Sequence, residues 1–552
     1  MSSRSADKFF EALASRGNAP ALAGPDYTVS YSDLIGLIDD SSATLKRLGI
    51  PLSGQPIFIQ SLRGRASTVV LFLAAWRNRM IPLLLDDQAP GQRVASALRV
   101  VQPAAHLRRV PESNTTPFWS ALGDDWEVSA APGYPGQRDA PGACPDPAYI
   151  AMTSGSTGDP RFVLCRWTGL DIVAPQWMER AGIDAASRLL QISSPAYDAI
   201  YTEVVPTLRA GGTLVFGPAG LWSRPSRLAA FIRQSQVTHL CVPPSYLSRI
   251  LASGEMPRIK TLSAAGEKLD RELAIQARRY AAKVLNAYGP TEATVCALTH
   301  EVTGDEDEIP LGRPLAGVSA NIDGGMIRIT GDTVAWGYLE EGGTIQRFIA
   351  ADGLSYHTGD LGEIRDGVFY FMGRADRQVK VHGHRVDLSA IEMQVRGIPG
   401  VTDCTVFYAG HQLACLLTAS RPVSDVAEDL RQISPPAEWP ARWAKVSRIQ
   451  YLESDKIDLR WASEAIDAPE KHGELAPDPK VEIPAFLIAA WRQHADFVSE
   501  DADFFASGGD SLSAMELLEV IYDETGLDID LADFLTEPTL LNLADAIHAS
   551  SR

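Results

Sequence analysis

Residues 1–375 carry the pattern that most restricts the fold. Helical segments alternate there with short β-rich runs such as Pro56–Ser61 (PIFIQS), Leu34–Asp39 (LIGLID) and Gly212–Gly217 (GTLVFG). Parallel strands need a crossover, usually a helix, so the alternation predicts stacked α/β layers. The 552 residues are too many for one ordinary core. With 45% hydrophobic and 22% charged residues, each large unit can bury its own core. The texture then changes. Residues 376–462 read as a compact α+β lobe, from RQVKVHGHRVDLSAIEMQVRGIPGV through CTVFYAG and LACLLTA. Residues 463–482 are polar, charged and proline-bearing, as in a linker. Residues 483–552 are helical and acidic, about the smallest size for an independent domain.

Composition narrows the partners. Fifty basic and 69 acidic residues give a net charge of −19, and no lysine/arginine run stands out. Nucleic acid and anionic membranes are therefore not expected as partners. The six cysteines are scattered without a Cys-x-x-Cys, which suggests neither a disulfide framework nor a zinc site. The N-terminus has no signal-type apolar core, and the longest apolar run, STVVLFLAAW, is too short to span a bilayer. A cytoplasmic protein is expected.

Several segments carry chemistry. The β-type run AYIAM feeds into Thr153, Ser154, Gly155, Ser156, Thr157 and Gly158. Glycines permit tight turns, and clustered N–H groups and hydroxyls suit phosphate oxygens. Gly-Lys-Ser/Thr is missing, so this is no Walker A loop. By itself it reads equally well as a flexible serine/glycine linker. NAYGPTEATVCA (Asn286–Ala297), YHTGDLG (Tyr356–Gly362) and GRADRQVKVHGHRVD (Gly373–Asp387) follow in that order. Each alone has a plain reading as a turn or a solvated strand. Near the C-terminus DFFASGGDSL places Ser511 before a helical face of Leu512, Met515, Leu518 and Ile521. A serine there is commonly just a helix N-cap.

In this order and spacing, the four upstream segments resemble the signatures of the acyl-adenylate-forming superfamily, most closely the adenylation domains of nonribosomal peptide synthetases. The similarity runs from about Thr28–Leu34 to Arg460. The tail resembles a peptidyl carrier protein. The resemblance implies an α/β large lobe, a small α+β lobe and an all-α four-helix carrier domain. It implies an ATP-dependent, AMP-forming ligase that activates an amino acid and loads it on its own carrier for natural-product biosynthesis. Ser511 would be the attachment site of 4'-phosphopantetheine.

Residue roles follow from the resemblance. Thr153, Ser154, Gly155, Ser156, Thr157 and Gly158 would hold phosphates, with Thr157 also catalytic. Glu292 would ligate Mg2+ and act in catalysis. Gly266, Asn286, Tyr288, Thr291, Asp360 and Arg374 would complete the nucleotide site, Tyr288 stacking on adenine and Asp360 taking the ribose hydroxyls. Lys456 would bridge substrate carboxylate and nucleotide, and Asp376 would be the hinge about which the small lobe swings. Two positions depart from the family pattern. Phe162 stands where the phosphate loop ordinarily has glycine, adding bulk, and Asp455 precedes Lys456 in place of glycine.

Asp198 falls on the family's anchor for a substrate amino group, since a carboxylate in an apolar pocket needs a cationic partner. As a plain residue it would be a helix N-cap. Ala199, Thr202, Cys241, Ser263, Ala265, Ala287, Val295 and Cys296 would line the side-chain pocket. These are small and uncharged, which suits a large uncharged side chain. Tyrosine or a modified tyrosine is expected first, with Thr202 and Ser263 facing a phenol, then phenylalanine, then a large aliphatic residue. The expected partners are a phosphopantetheinyl transferase, an MbtH-like activator protein and a downstream tailoring enzyme or synthetase. With no condensation domain before it and no thioesterase after it, a free-standing didomain is expected. An adenylation-deficient carrier loaded in trans and an acyl- or aryl-CoA ligase are the alternatives.

Overall fold

The computed structural model describes all residues except 1, 48–52, 62, 88, 111–124, 131–143, 154–159, 219–220, 224, 253–255, 382–383, 410–411, 450–458, 468–482, 496–502, 506, 508, 510, 530, 532–533, 535–537 and 551–552. Among the described residues a nine-stranded sheet holds the strands His239–Val242, Ile259–Ala265 and Ala281–Tyr288 side by side and parallel. A second, eight-stranded sheet is centred on Pro56–Ser61, Ile81–Asp86 and Pro147–Thr153, also parallel. Strands Ile81–Asp86 and Pro147–Thr153 of the second sheet read as near-continuous apolar runs because both of their faces are covered. The run STVVLFLAAW lies in helix Ala66–Arg77, whose residues from Ala66 to Trp76 are all buried in the largest core. Among the described residues no helix is long and apolar enough to cross a membrane.

LIGLID is a correction to the sequence reading. It lies in helix Tyr31–Arg47 and not in a strand. The buried residues Tyr31, Leu34, Ile38, Ser41, Ser42 and Leu45 recur every three or four positions, which is the helical period. Six residues were too short a window to separate that period from a buried strand.

The small lobe begins with the hairpin Gln378–Val381/His384–Asp387. Helix Leu388–Gly397 follows, capped by Asp387, whose side chain accepts from Ser389 N and Ala390 N. The lobe's sheet pairs Val401–Ala409, Gln412–Ala419 and Arg442–Lys445. Helix Leu459–Asp467 packs Ala462 and Ile466, with Trp461 and Ala465 beside them, against Phe407 and Leu416 of that sheet.

The carrier is helical, with described helices at Ala485–His494, Ser511–Thr525 and Leu540–Ser550. Trp491, Phe504, Phe505 and Phe534 fill its core. Gly509 lies against Phe504: a Cβ there would meet the ring at 2.2 Å. The turn leading to Ser511 therefore needs glycine for space. All six cysteines are free thiols.

Candidate active site

Strand register builds the first site. Cys241 lies opposite Ser263, and Ala265 lies opposite Ala287, on adjacent parallel strands. Residues two apart share a face, so Cys241, Ser263, Ala265 and Ala287 sit on one side near the carboxyl ends of the strands. That is where open α/β sheets bind ligands. The chain then turns through Gly289. A Cβ on Gly289 would lie 2.4 Å from the Val295 carbonyl oxygen, so glycine lets the returning segment close on the turn. Thr294 and Val295 pay for that closure with positive φ, 58° and 65°, unusual for β-branched residues. Val295 is thereby presented beside buried Cys296.

Helix Ala199–Ala210 carries the other residues expected at the pocket, Ala199 and Thr202, with Asp198 just before it. Asp198 stands at its N-cap position but makes no side-chain cap hydrogen bond. Its Oδ2 is buried and has no hydrogen-bond partner. Burial pushes the Asp198 carboxyl up to about 6, opposed by the Thr291 hydroxyl and reinforced by the nearby Glu292 charge. An unpartnered buried carboxylate oxygen can be satisfied by a cation. Thr202 is buried and its hydroxyl donates to the Ala199 carbonyl at 2.8 Å. It can accept a hydrogen bond from a ligand but has no proton left to donate. Burial also raises the Cys296 thiol to about 12 and the Cys241 thiol further, so both act as neutral wall atoms.

A second site lies across the same loop. Glu292 is buried in the short turn Thr291–Ala293, and the Tyr338 hydroxyl donates to its Oε1 at 2.6 Å. Asp360 and Arg374 sit opposite each other on paired strands and form a buried ion pair. The Tyr288 hydroxyl donates to the other Asp360 oxygen at 2.5 Å. Arg374 also donates to both oxygens of the expected hinge residue, Asp376, at 2.6 and 2.7 Å. Asn286 is buried and its amide donates to the Pro310 carbonyl, which makes it part of the scaffold under the site. Gly266 takes φ +90° at the end of its strand. Lys380, on the small-lobe hairpin, places Nζ 5.7 Å from the Tyr288 ring centre, so this lobe turns its hairpin toward the second site.

Thr153 ends its strand at the loop. Ser154, Gly155, Ser156, Thr157, Gly158, Asp455 and Lys456 lie outside the described residues, as does the side chain of Ser511 at the start of its helix. Phe162 corrects an expectation. It is fully buried in the strand Arg161–Arg166, paired with Met152 and Leu339, so its bulk is absorbed by the core and does not enter the loop. Arg161, on the opposite face, lies 5.0 Å over the Tyr338 ring. Tyr338 and Lys380 were missed in the sequence. Tyr338 sits in no local pattern and reaches the site through long-range pairing of its strand, whereas Lys380 lies inside the quoted segment Gly373–Asp387, which by itself does not reveal its position over Tyr288.

Among the described residues no three His, Cys, Asp or Glu side chains converge on a metal-binding point. A single hard carboxylate such as Glu292 fits Mg2+, which takes one or two carboxylates and completes its shell with phosphate and water.

Fold and sites together define an adenylate-forming enzyme unit joined to a carrier. The chain belongs to the AMP-binding enzyme family, whose model matches residues 9–339. A phosphopantetheine attachment site model matches residues 488–547. Novobiocin biosynthesis protein H of Streptomyces niveus is 29% identical over 96% of this chain and 94% of its own length. Bacitracin synthase 3 of Bacillus licheniformis is 30% identical over 74% of this chain, which spans only 7% of that protein. Holo-PA1221, a nonribosomal peptide synthetase protein containing adenylation and carrier domains, shares the fold with TM-score 0.76 at 22% identity, over 99% of this chain and 96% of that one.

Proposed function

We propose that the protein activates an amino acid, tyrosine or a close analogue, as its aminoacyl adenylate and loads it on its own carrier domain. The observation that carries the reading is the buried, unpartnered Oδ2 of Asp198, read together with the small neutral residues that strand register sets on one face as the side-chain pocket. Ammonium satisfies that oxygen, whereas an aryl or fatty acid leaves it orphaned. The Thr202 hydroxyl oxygen is an acceptor suited to a phenol proton.

In the first half-reaction a substrate carboxylate oxygen attacks the α-phosphorus of ATP. The new O–P bond forms as the bond to pyrophosphate breaks, and pyrophosphate leaves with the electron pair. This transfer needs positioning and charge neutralisation. Thr153 and the loop Ser154–Gly158 are assigned to the phosphates, Asp360 and Arg374 to the ribose, and Tyr288 to the adenine. Lys456 is assigned to the developing charge. Glu292 would hold Mg2+, whose contribution is to shield phosphate charge. The phosphopantetheine arm at Ser511 supplies, when attached, the thiol that takes the acyl group from AMP. A phosphopantetheinyl transferase is required for that attachment. An MbtH-like activator and a downstream tailoring enzyme or synthetase belong to the same reading.

The alternative of an adenylation-deficient carrier loses one support, because Phe162 is core and not loop. The test is amino-acid-dependent pyrophosphate exchange over a substrate panel, with intact mass of the phosphopantetheinylated protein. Tyrosine is expected to give the strongest exchange. Exchange with acids lacking an α-amino group, or with none, would overturn the reading.

A further inference from the structure

One cluster outside both sites joins all three bodies of the chain. The short turn Pro436–Glu438 and the following Trp439 belong to the small lobe. Glu438 is buried and ion-paired with Arg93 of the large lobe. Tyr197, next to Asp198, lies within electrostatic reach of both partners. The adjacent residue faces the other way: the Trp439 ring packs edge-on against Phe505 of the carrier, centroids 5.4 Å apart. Arg431, one helix back, forms a two-pronged ion pair with carrier residue Asp503, with Nη2 2.6 Å from Oδ1. Its guanidinium also sits 5.6 Å from the Trp439 ring and 5.5 Å from Phe505. The gripped segment, Asp503–Phe505, begins the DFFASGGDSL stretch that leads to Ser511.

We infer that the turn Pro436–Trp439 is a coupling element in which Glu438 latches the small lobe to the large lobe while Trp439 and Arg431 hold the carrier, so that lobe orientation and carrier docking change together. Two neighbouring residues with opposite clients leave little slack between those events. Consecutive side chains on a short turn reorient together, and the part-buried Arg93–Glu438 and Arg431–Asp503 pairs, each a charge-assisted hydrogen bond, favour one geometry. The lobe orientation held by the latch also brings Lys380 over Tyr288. The element is a positioning device for the carrier-loading step and is not used by the adenylating step. The inference rests on the proposed function for its kinetic arm only.

The test uses the full chain carrying phosphopantetheine. Arg431→Glu is expected to slow self-loading by at least about tenfold, while pyrophosphate exchange stays within about twofold or rises. Glu438→Gln, which does not touch the carrier, is expected to slow loading as well. Adding Asp503→Arg to Arg431→Glu restores loading. Small-angle scattering of the ligand-free variants, which needs no substrate, is expected to show a larger radius of gyration for Arg431→Glu and for Glu438→Gln, and recovery in the charge swap. Loading slowed by Arg431→Glu but untouched by Glu438→Gln would overturn the coupling, as would exchange falling in parallel with loading or scattering unchanged in both single variants. If wild type exchanges pyrophosphate with no amino acid, the functional reading fails, and scattering alone then decides the coupling.

Discussion

Asp198 is where stability and function oppose each other. Its carboxyl titrates at about 6 in the folded chain, above its ordinary 3.8, because burial disfavours the charge. The sign follows: the native state binds the proton more tightly than the unfolded state, so stability falls as pH rises from about 4 to 6 and is flat above. Holding the anion at neutral pH then costs the ligand-free protein about 3 kcal/mol. Asp198→Asn should therefore unfold at a higher temperature than wild type at pH 7.5, with the gap narrowing to about half at pH 5. Thermal melts at the two pH values check this. The same variant should lose amino-acid-dependent exchange by about a hundredfold or more, since a buried charge pair loses one partner. In wild type, the amino-acid KM in exchange should rise as pH drops below about 6, where the anchor becomes neutral. A KM flat between pH 7.5 and 5.5 would contradict an ammonium partner for Asp198.

The loop between strands Ala281–Tyr288 and Leu298–Glu301 carries two residues of the proposed pocket, Val295 and Cys296, and Gly289 sets how closely it folds back. Gly289→Ala would drive a methyl into the Val295 carbonyl and Cys296 Cα, both backbone atoms that cannot rotate away. A destabilisation of about 1–3 kcal/mol is expected, with a raised amino-acid KM because Val295 and Cys296 must move. Calorimetry with exchange kinetics reads both; an unchanged KM would mean that the pocket lies elsewhere. Local sequence was a good guide to parts of this element. Glycine-proline punctuation announced the turn, and the order of segments announced the fold. It could not announce what depends on register. Cys241 and Ala287 are 46 positions apart, and only the pairing through Ser263 and Ala265 puts them on one face. Tyr338 reaches Glu292 because Gly337–Leu339 pairs with Arg161–Arg166 across more than 160 positions. LIGLID failed for the opposite reason: too few residues to show a period, and a helix whose buried stripe includes two serines.

The carrier is held to the large lobe by a second set of contacts, independent of the coupling turn. Arg249 pairs with Glu516, which also meets His494 at 3.1 Å. Burial works against that carboxyl, yet His494 and Arg249 hold it below its ordinary range. Arg227 lies 3.3 Å over the Tyr522 ring, and Trp222 packs on the carrier core. Both arginines come from neighbouring helices, Pro225–Gln234 and Pro244–Ala252, so one rigid face meets helix Ser511–Thr525. A carrier helix bearing Glu516 gains orientation from the two cations set on that face. The pair should therefore act on docking and leave adenylation alone. Arg249→Glu places two carboxylates together and should slow self-loading by about five- to thirtyfold, the equivalent of one or two kcal/mol. Glu516→Arg added to it reverses the polarity and should recover most of the rate. Because Glu516 is 41% exposed at its side chain, salt screens the contact, and wild-type loading should fall between low and high ionic strength more than loading by the Arg249→Glu variant. Single-turnover loading of the holo-protein, followed by mass at two salt concentrations, reads all of this. Equal salt dependence in the two proteins would assign the docking to the aromatic contacts, with Trp222 and Tyr522 carrying it in place of the ion pair.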